Sequence, residues 1–306
     1  MNKVIRTMLV LLLMLMGACK KDLGVELPYE GERLIIYGLI SADSVVSVKI
    51  DKTASPTGTF MYGEGINDAT VAFFEEGVFM ENLHPLGKGI YRSPSGRKPQ
   101  VGKGYSLRVE ALGFPTAETS NEVIPRQVSI SSYIFQDTVS SLFVGETARK
   151  LAFTFADEEK ELDLYYAKIE GQYQGKYVAL NTFRPDRPLE ASEDICSFKS
   201  EDNQYVLSDI CFNGQSFTFD IGVAMAGALQ DSTDTAKRLG QNVACDKIFL
   251  HFRKISPVYR NYLYRAGWED EGFLKAFTTP IREYTNVKGG YGLWAAYSEE
   301  VVDILH

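Results

Sequence analysis

The residue best placed to do chemistry in this chain is Cys19, which follows the apolar run Met8–Met16 and the small pair Gly17-Ala18 and precedes Lys20-Lys21. Small residues there let a peptidase thread the backbone. A thiol at that point is the nucleophile that a diacylglyceryl transferase uses. The remaining cysteines are Cys196, Cys211 and Cys245, an odd number that permits at most one internal disulfide in an exported chain. Cys196 with Cys211 is the expected pair, because the two flank a short segment with polar turn residues and Cys211 lies just before Asn213-Gly214. Three reduced, mostly buried thiols are the equal alternative.

Other reactive groups are sparse. The imidazoles are His84, His251 and His306, with no His-Glu-x-x-His pair to hold zinc, no Gly-x-Ser-x-Gly elbow and no phosphate-binding Gly-x-x-x-x-Gly-Lys loop. His251 alternates with Phe249 and Arg253 on an expected strand and reads as packed or surface-exposed. Carboxylates cluster at Asp157-Glu158-Glu159 and Glu269-Asp270-Glu271. Both runs adjoin the end of a regular element and lack the alternating ligand positions and glycine of a calcium loop, so they read as solvated turns. Two carboxylates of a glycosidase would come from different strands, which spacing does not reveal. Neither a metal nor a cofactor is expected. Among the aromatics, Trp268, Trp294 and Tyr291 are the candidates for ligand or partner contact, since flat apolar rings with a polar rim commonly serve recognition. Trp294 and Tyr291 lie in Gly289-Gly-Tyr-Gly-Leu-Trp-Ala-Ala-Tyr. Core packing, with glycines permitting close backbone approach, is the competing reading.

The elements that carry these residues begin with a leader. Lys3 and Arg6 form a basic start, and the apolar core behind them is short for a membrane span, as in a secretory signal. With Gly17-Ala18-Cys19 the pattern resembles the bacterial lipobox, Met16 standing where that motif prefers Leu. Residues 1–18 are therefore expected to be a signal peptide, Cys19 the lipidated residue, and the polar stretch 19–32 a tether. Cleavage removes two basic residues and no acid, moving the formal charge from −8 to −10. So acidic a chain, with only short basic runs, is no candidate for nucleic acid. At 45% hydrophobic and 12% aromatic residues it can bury a full core.

Period-two patterns dominate from Arg33 onward. Leu34–Ser41, Val45–Asp51, Thr70–Glu75 and Tyr105–Ala111 read as strands, separated by turn formers such as Glu76-Gly77 and Gly113-Phe-Pro115. They predict an immunoglobulin-like or transthyretin-like sandwich over 33–125. A second β-rich domain with one or two short helices is expected over 126–306, from strands at Val128–Ile134, Lys150–Ala156, Leu164–Glu170 and Asp246–Lys254. Tyr205–Phe212 and Ser216–Ile221 flank Asn213-Gly214, a strong type I′ hairpin signal. Ser256-Pro257 predicts a helix start, and Val258, Tyr262, Leu263 and Ala266 recur at helical spacing up to Gly267.

Taken in order, the lipobox cysteine and five further segments resemble one family. They are Leu34-Ile-Ile-Tyr-Gly-Leu-Ile-Ser, Asn67-Asp-Ala-Thr-Val-Ala-Phe-Phe-Glu-Glu-Gly, Gly102-Lys-Gly-Tyr-Ser-Leu-Arg-Val-Glu-Ala, Ser256-Pro-Val-Tyr-Arg-Asn-Tyr-Leu and Pro280-Ile-Arg-Glu-Tyr-Thr-Asn-Val-Lys-Gly-Gly-Tyr-Gly-Leu-Trp. The resemblance is to the Bacteroidota lipoproteins grouped as domain of unknown function 4249. It implies no catalytic residues, because that family has no established activity. Its members are commonly encoded beside TonB-dependent receptors. The resemblance therefore implies an outer-membrane lipoprotein, facing inward or outward, that accompanies such a receptor in capturing or admitting a ligand. An envelope hydrolase acting on glycan or peptide, and a purely structural envelope protein, are the alternatives.

Overall fold

In a computed structural model of the chain, the described residues are 31–53, 65–140, 147–158, 162–184, 193–194, 196–201, 204–230, 238–267 and 284–305. The segments expected to be signal peptide (1–18) and, nearly entirely, tether (19–32), with Cys19, lie outside them, as does Trp268. Among the described residues the architecture is mainly β with sandwich-like layering and one α-helix, Pro257–Gly267.

The first core is enclosed by strands whose alternate residues point inward, as period-two patterning requires. Leu34–Ile40 runs antiparallel to Ser47–Lys52, with Ile36 opposite Ile50, and Ser47–Lys52 continues to Ile90–Arg92. Thr70–Glu75 lies between Val78–Gly87 and Gly104–Glu110. Leu34, Ile36, Ile50, Val71, Phe73, Tyr91, Tyr105 and Leu107 meet in this core, with Phe73 stacked on Tyr105 at 5.4 Å. Val287, Trp294 and Ala296, from the far end of the sequence, join it.

A second core lies between a four-stranded sheet and a larger one. Thr147–Ala156 is central in the first, between Ile130–Ser140 and Ser216–Ala224. In the second, Leu164–Tyr173 pairs with Gln204–Ser208 and with Lys247–Ile255. Phe153, Phe155, Tyr165, Phe212, Phe219 and Phe252 interlock here, most pairs tilted or edge-on, the geometry that aromatic quadrupoles favour.

The 13-residue strand Tyr291–Asp303 belongs to both halves. Its first six residues pair in parallel with Leu34–Ile40, from Ile35 opposite Tyr291 to Ile40 opposite Ala296. Tyr297–Asp303 then pairs antiparallel with Lys247–Ile255. The helix packs over the seam, Tyr259 and Leu263 meeting Tyr166, Ile255, Leu293 and Ala295. Ser256 starts it as expected, its Oγ accepting the Tyr259 amide at 3.4 Å.

The Asn213-Gly214 hairpin does not form. Gln204–Ser208 and Ser216–Ala224 lie in different sheets, joined through the 3-10 turn Asp209–Cys211. A type I′ turn needs positive φ at both central residues, and of this pair Gly214 alone has it, at 71°. The chain meets that requirement at Glu76-Gly77, Lys88-Gly89 and Gln174-Gly175, where both residues are positive and the flanking strands do pair. At Asn213-Gly214 tertiary contacts prevail: Phe212 stacks on Phe217 at 4.1 Å, and the Gly214 amide donates to Asp157 Oδ2 at 2.8 Å.

Candidate functional site

Three strand ends converge on three carboxylates. Asp157 follows Thr147–Ala156, Asp163 precedes Leu164–Tyr173, and Asp209 opens the turn after Gln204–Ser208. They are only 8%, 6% and 0% exposed. Asp157 was expected in a solvated turn; it is buried because the strand pairing that aligns Thr147–Ala156 with Ser216–Ala224 carries it under the crossing segment, while Glu158 stays exposed.

Each carboxylate is held by specific donors. Tyr165 Oη donates to Asp157 Oδ1 and, at 3.4 Å, to Asp163 Oδ2. Lys254 Nζ donates to Asp163 Oδ2 at 2.5 Å, and the Asp163 amide donates to Asp209 Oδ2 at 2.7 Å. Asp209 Oδ1 is enclosed without a hydrogen-bond partner. Burial pushes the carboxyls of Asp163 and Asp209 above their usual range, and the charge of Asp157 adds to the shift; Lys254 opposes it. Burial, and then the bond to Asp157, holds the Tyr165 hydroxyl protonated. One oxygen from each aspartate lies within 4.8 Å of the others, which makes these the described residues able to hold a metal ion.

A second polar group lies beside the seam. Glu299 Oε1 accepts from Arg253 Nε at 2.7 Å and lies 3.0 Å from His251 Nδ1, while Glu170 Oε2 is 3.6 Å from His251 Nε2. The Arg253 guanidinium stacks over Tyr297 at 4.5 Å and Tyr166 at 5.3 Å. Burial works against the Glu299 charge, yet the bond to His251 and the Arg253 charge outweigh it and hold that carboxyl below its ordinary 4.5. His251 is thus a packed histidine between two carboxylates.

The structure separates the residues singled out in the sequence. Trp294 offers no ligand platform: it is 0% exposed, and its Nε1 donates to the Tyr105 carbonyl at 2.9 Å. Its ring covers Gly38, where a Cβ would come within 2.6 Å of Trp294 Cε3. Asn286 clamps the same residue, accepting the Trp294 amide at 3.0 Å and donating to its carbonyl at 2.7 Å. The glycine-aromatic run is therefore a packing device, as the competing reading held. Tyr291 differs, being 39% exposed on the opposite face of the strand. Cys196 and Cys211 are joined, their Cα atoms 5.8 Å apart. Cys245 is free and half-buried, its thiol pushed up to about 11 by burial and by Asp246. The aspartate cluster itself escaped sequence reading, because its members are 6 and 46 residues apart along the chain.

No curated protein matches the chain. A family model does, over residues 20–301, so that it spans both cores and the strand that joins them. On that match the chain belongs to the family described as a domain of unknown function, DUF4249.

Proposed function

We propose that this protein is a non-enzymatic, lipid-anchored outer-membrane module that partners a TonB-dependent receptor in ligand capture. The observation that carries the reading is a row of exposed apolar side chains on the first strand after the tether and its neighbours. Tyr37, Leu39, Ile90 and Tyr291 are 42%, 38%, 40% and 39% exposed. Register puts Ile35 opposite Tyr291, Tyr37 opposite Lys49, and Lys49 opposite Ile90, so these side chains share one sheet face. Exposed patches rich in tyrosine are typical of protein interfaces. The 14-residue tether, 19–32, reaches at most ~50 Å, which keeps this face close to a membrane in which Cys19 is anchored. The carboxylates that come together are enclosed, which favours a structural use over hydrolysis of a glycan or peptide.

The test is affinity purification of the full chain from membranes in mild detergent. The receptor should co-purify, and Tyr37→Asp combined with Tyr291→Asp should reduce its recovery at least about tenfold without lowering the melting temperature. Repeated purification without a receptor would overturn the reading.

A further inference from the structure

We infer that Asp157, Asp163 and Asp209 form a binding site for a hard divalent cation, calcium or magnesium, that ties three strand ends together. Donor type comes first. The carboxylates and the Tyr165 hydroxyl beside them offer oxygen and neither nitrogen nor sulfur, a set that selects calcium and magnesium over zinc or copper. Spacing agrees. One oxygen from each aspartate lies within 4.8 Å of the others, no farther apart than two oxygens that share a calcium ion at ~2.4 Å each.

Independently of the clustering, Asp209 points to a ligand. It is 0% exposed, its Oδ2 is occupied by the Asp163 amide, and its Oδ1, on a carboxylate that faces the other two, has no partner. A buried carboxylate oxygen left so is destabilising unless something answers it. Charge supports the same conclusion. Among the described residues, Lys254 is the cation that contacts the group, leaving two negative charges that a divalent ion balances. Buried like charges are retained where they are paired or coordinate a metal. The segment bearing Asp209 also carries Cys211, bonded to Cys196. Cation and disulfide thus fasten the same crossing between sheets.

The test uses the full chain, stripped with EDTA and titrated in separate arms with calcium chloride and magnesium chloride. At a calcium concentration about a hundredfold above the dissociation constant the melting temperature should rise by ~5 °C. Terbium should bind, luminesce on tyrosine excitation through the adjacent Tyr165, and be displaced by calcium. Asp209→Asn should weaken cation binding at least about tenfold, while Lys254→Met, which removes a competing positive charge, should tighten it by about as much. A response to magnesium alone would assign the smaller ion to the same site. The inference is overturned if the wild-type chain shows neither a cation-dependent melting shift nor terbium emission. It is equally overturned if Asp209→Asn responds as the wild type does. Neither readout depends on a receptor, so this outcome and that of the co-purification are independent.

Discussion

Side-chain positions in this protein are governed by close packing at a few residues. Trp294 fills the first core against Gly38 and is fixed at both backbone polar groups by Asn286. Trp294→Ala should cost ~3–5 kcal/mol, because cavity formation adds to the lost burial. Gly38→Ala should cost ~1–3 kcal/mol by overpacking against a ring that backbone and side chain both hold in place. Urea unfolding of each variant measures these losses. Glu299 gives a pH-dependent counterpart. Its carboxyl lies below the ordinary 4.5 in the folded chain, so its contribution is present above that pH and is lost as pH falls through the folded value. Glu299→Gln should therefore destabilise the protein by ~2–3 kcal/mol at neutral pH, leaving Arg253 without its charge partner. The gap between variant and wild type should narrow below about pH 4.5; urea midpoints across pH would show it. At this scale the sequence disclosed residue types but not their neighbours. In sequence Trp294 fits platform and core alike, and only the position of its ring over Gly38 decides for core; Asp157 resembles a solvated residue there because the charged Glu158 and Glu159 follow it.

Among the elements, strands were legible where alternation was strict. Thr70–Glu75 begins and ends where its pattern does, and Leu34–Ile40, Lys247–Ile255 and the Pro257 helix lie within a residue or two of their expected bounds. Pairing was less legible, since Asn213-Gly214 carries hairpin chemistry yet crosses between sheets. The strand Tyr291–Asp303 reads in sequence only as a short glycine-aromatic segment, because Trp294 and Ala296 pack into one core and the interleaved Leu293 and Ala295 into another, so that both faces are buried there and no alternation shows. That strand makes a sharp prediction. Truncation after Gly290 should unfold both halves together, since it leaves the edges of Leu34–Ile40 and Lys247–Ile255 unpaired; circular dichroism and proteolysis would detect this. The disulfide makes another. Cys196 and Cys211 are 15 residues apart, and closing a loop of that size contributes about 3 kcal/mol. The double serine variant should show that loss in denaturant, and reductant should reproduce it in the wild type.

For the molecule as a whole, the proposal of an anchored receptor partner depends on Cys19. On that proposal Cys19→Ser should move the protein from the membrane pellet to the soluble fraction of cells, since the proposed attachment rests on acyl chains contributing about 0.8 kcal/mol per buried methylene. The family match over residues 20–301 embraces both cores, in keeping with a C-terminal strand that serves each. By itself the sequence determined the β class, the acidic balance, the helix start at Ser256-Pro257 and the family resemblance, because alternation, charge and capping are local properties of neighbouring residues. Tertiary structure alone decided that Trp294 is core, that Asn213-Gly214 is a crossing, and that Asp157, Asp163 and Asp209 share one buried site. Those outcomes depend on which strand lies beside which, and residues 46 positions apart become neighbours only when pairing and core packing together select one register.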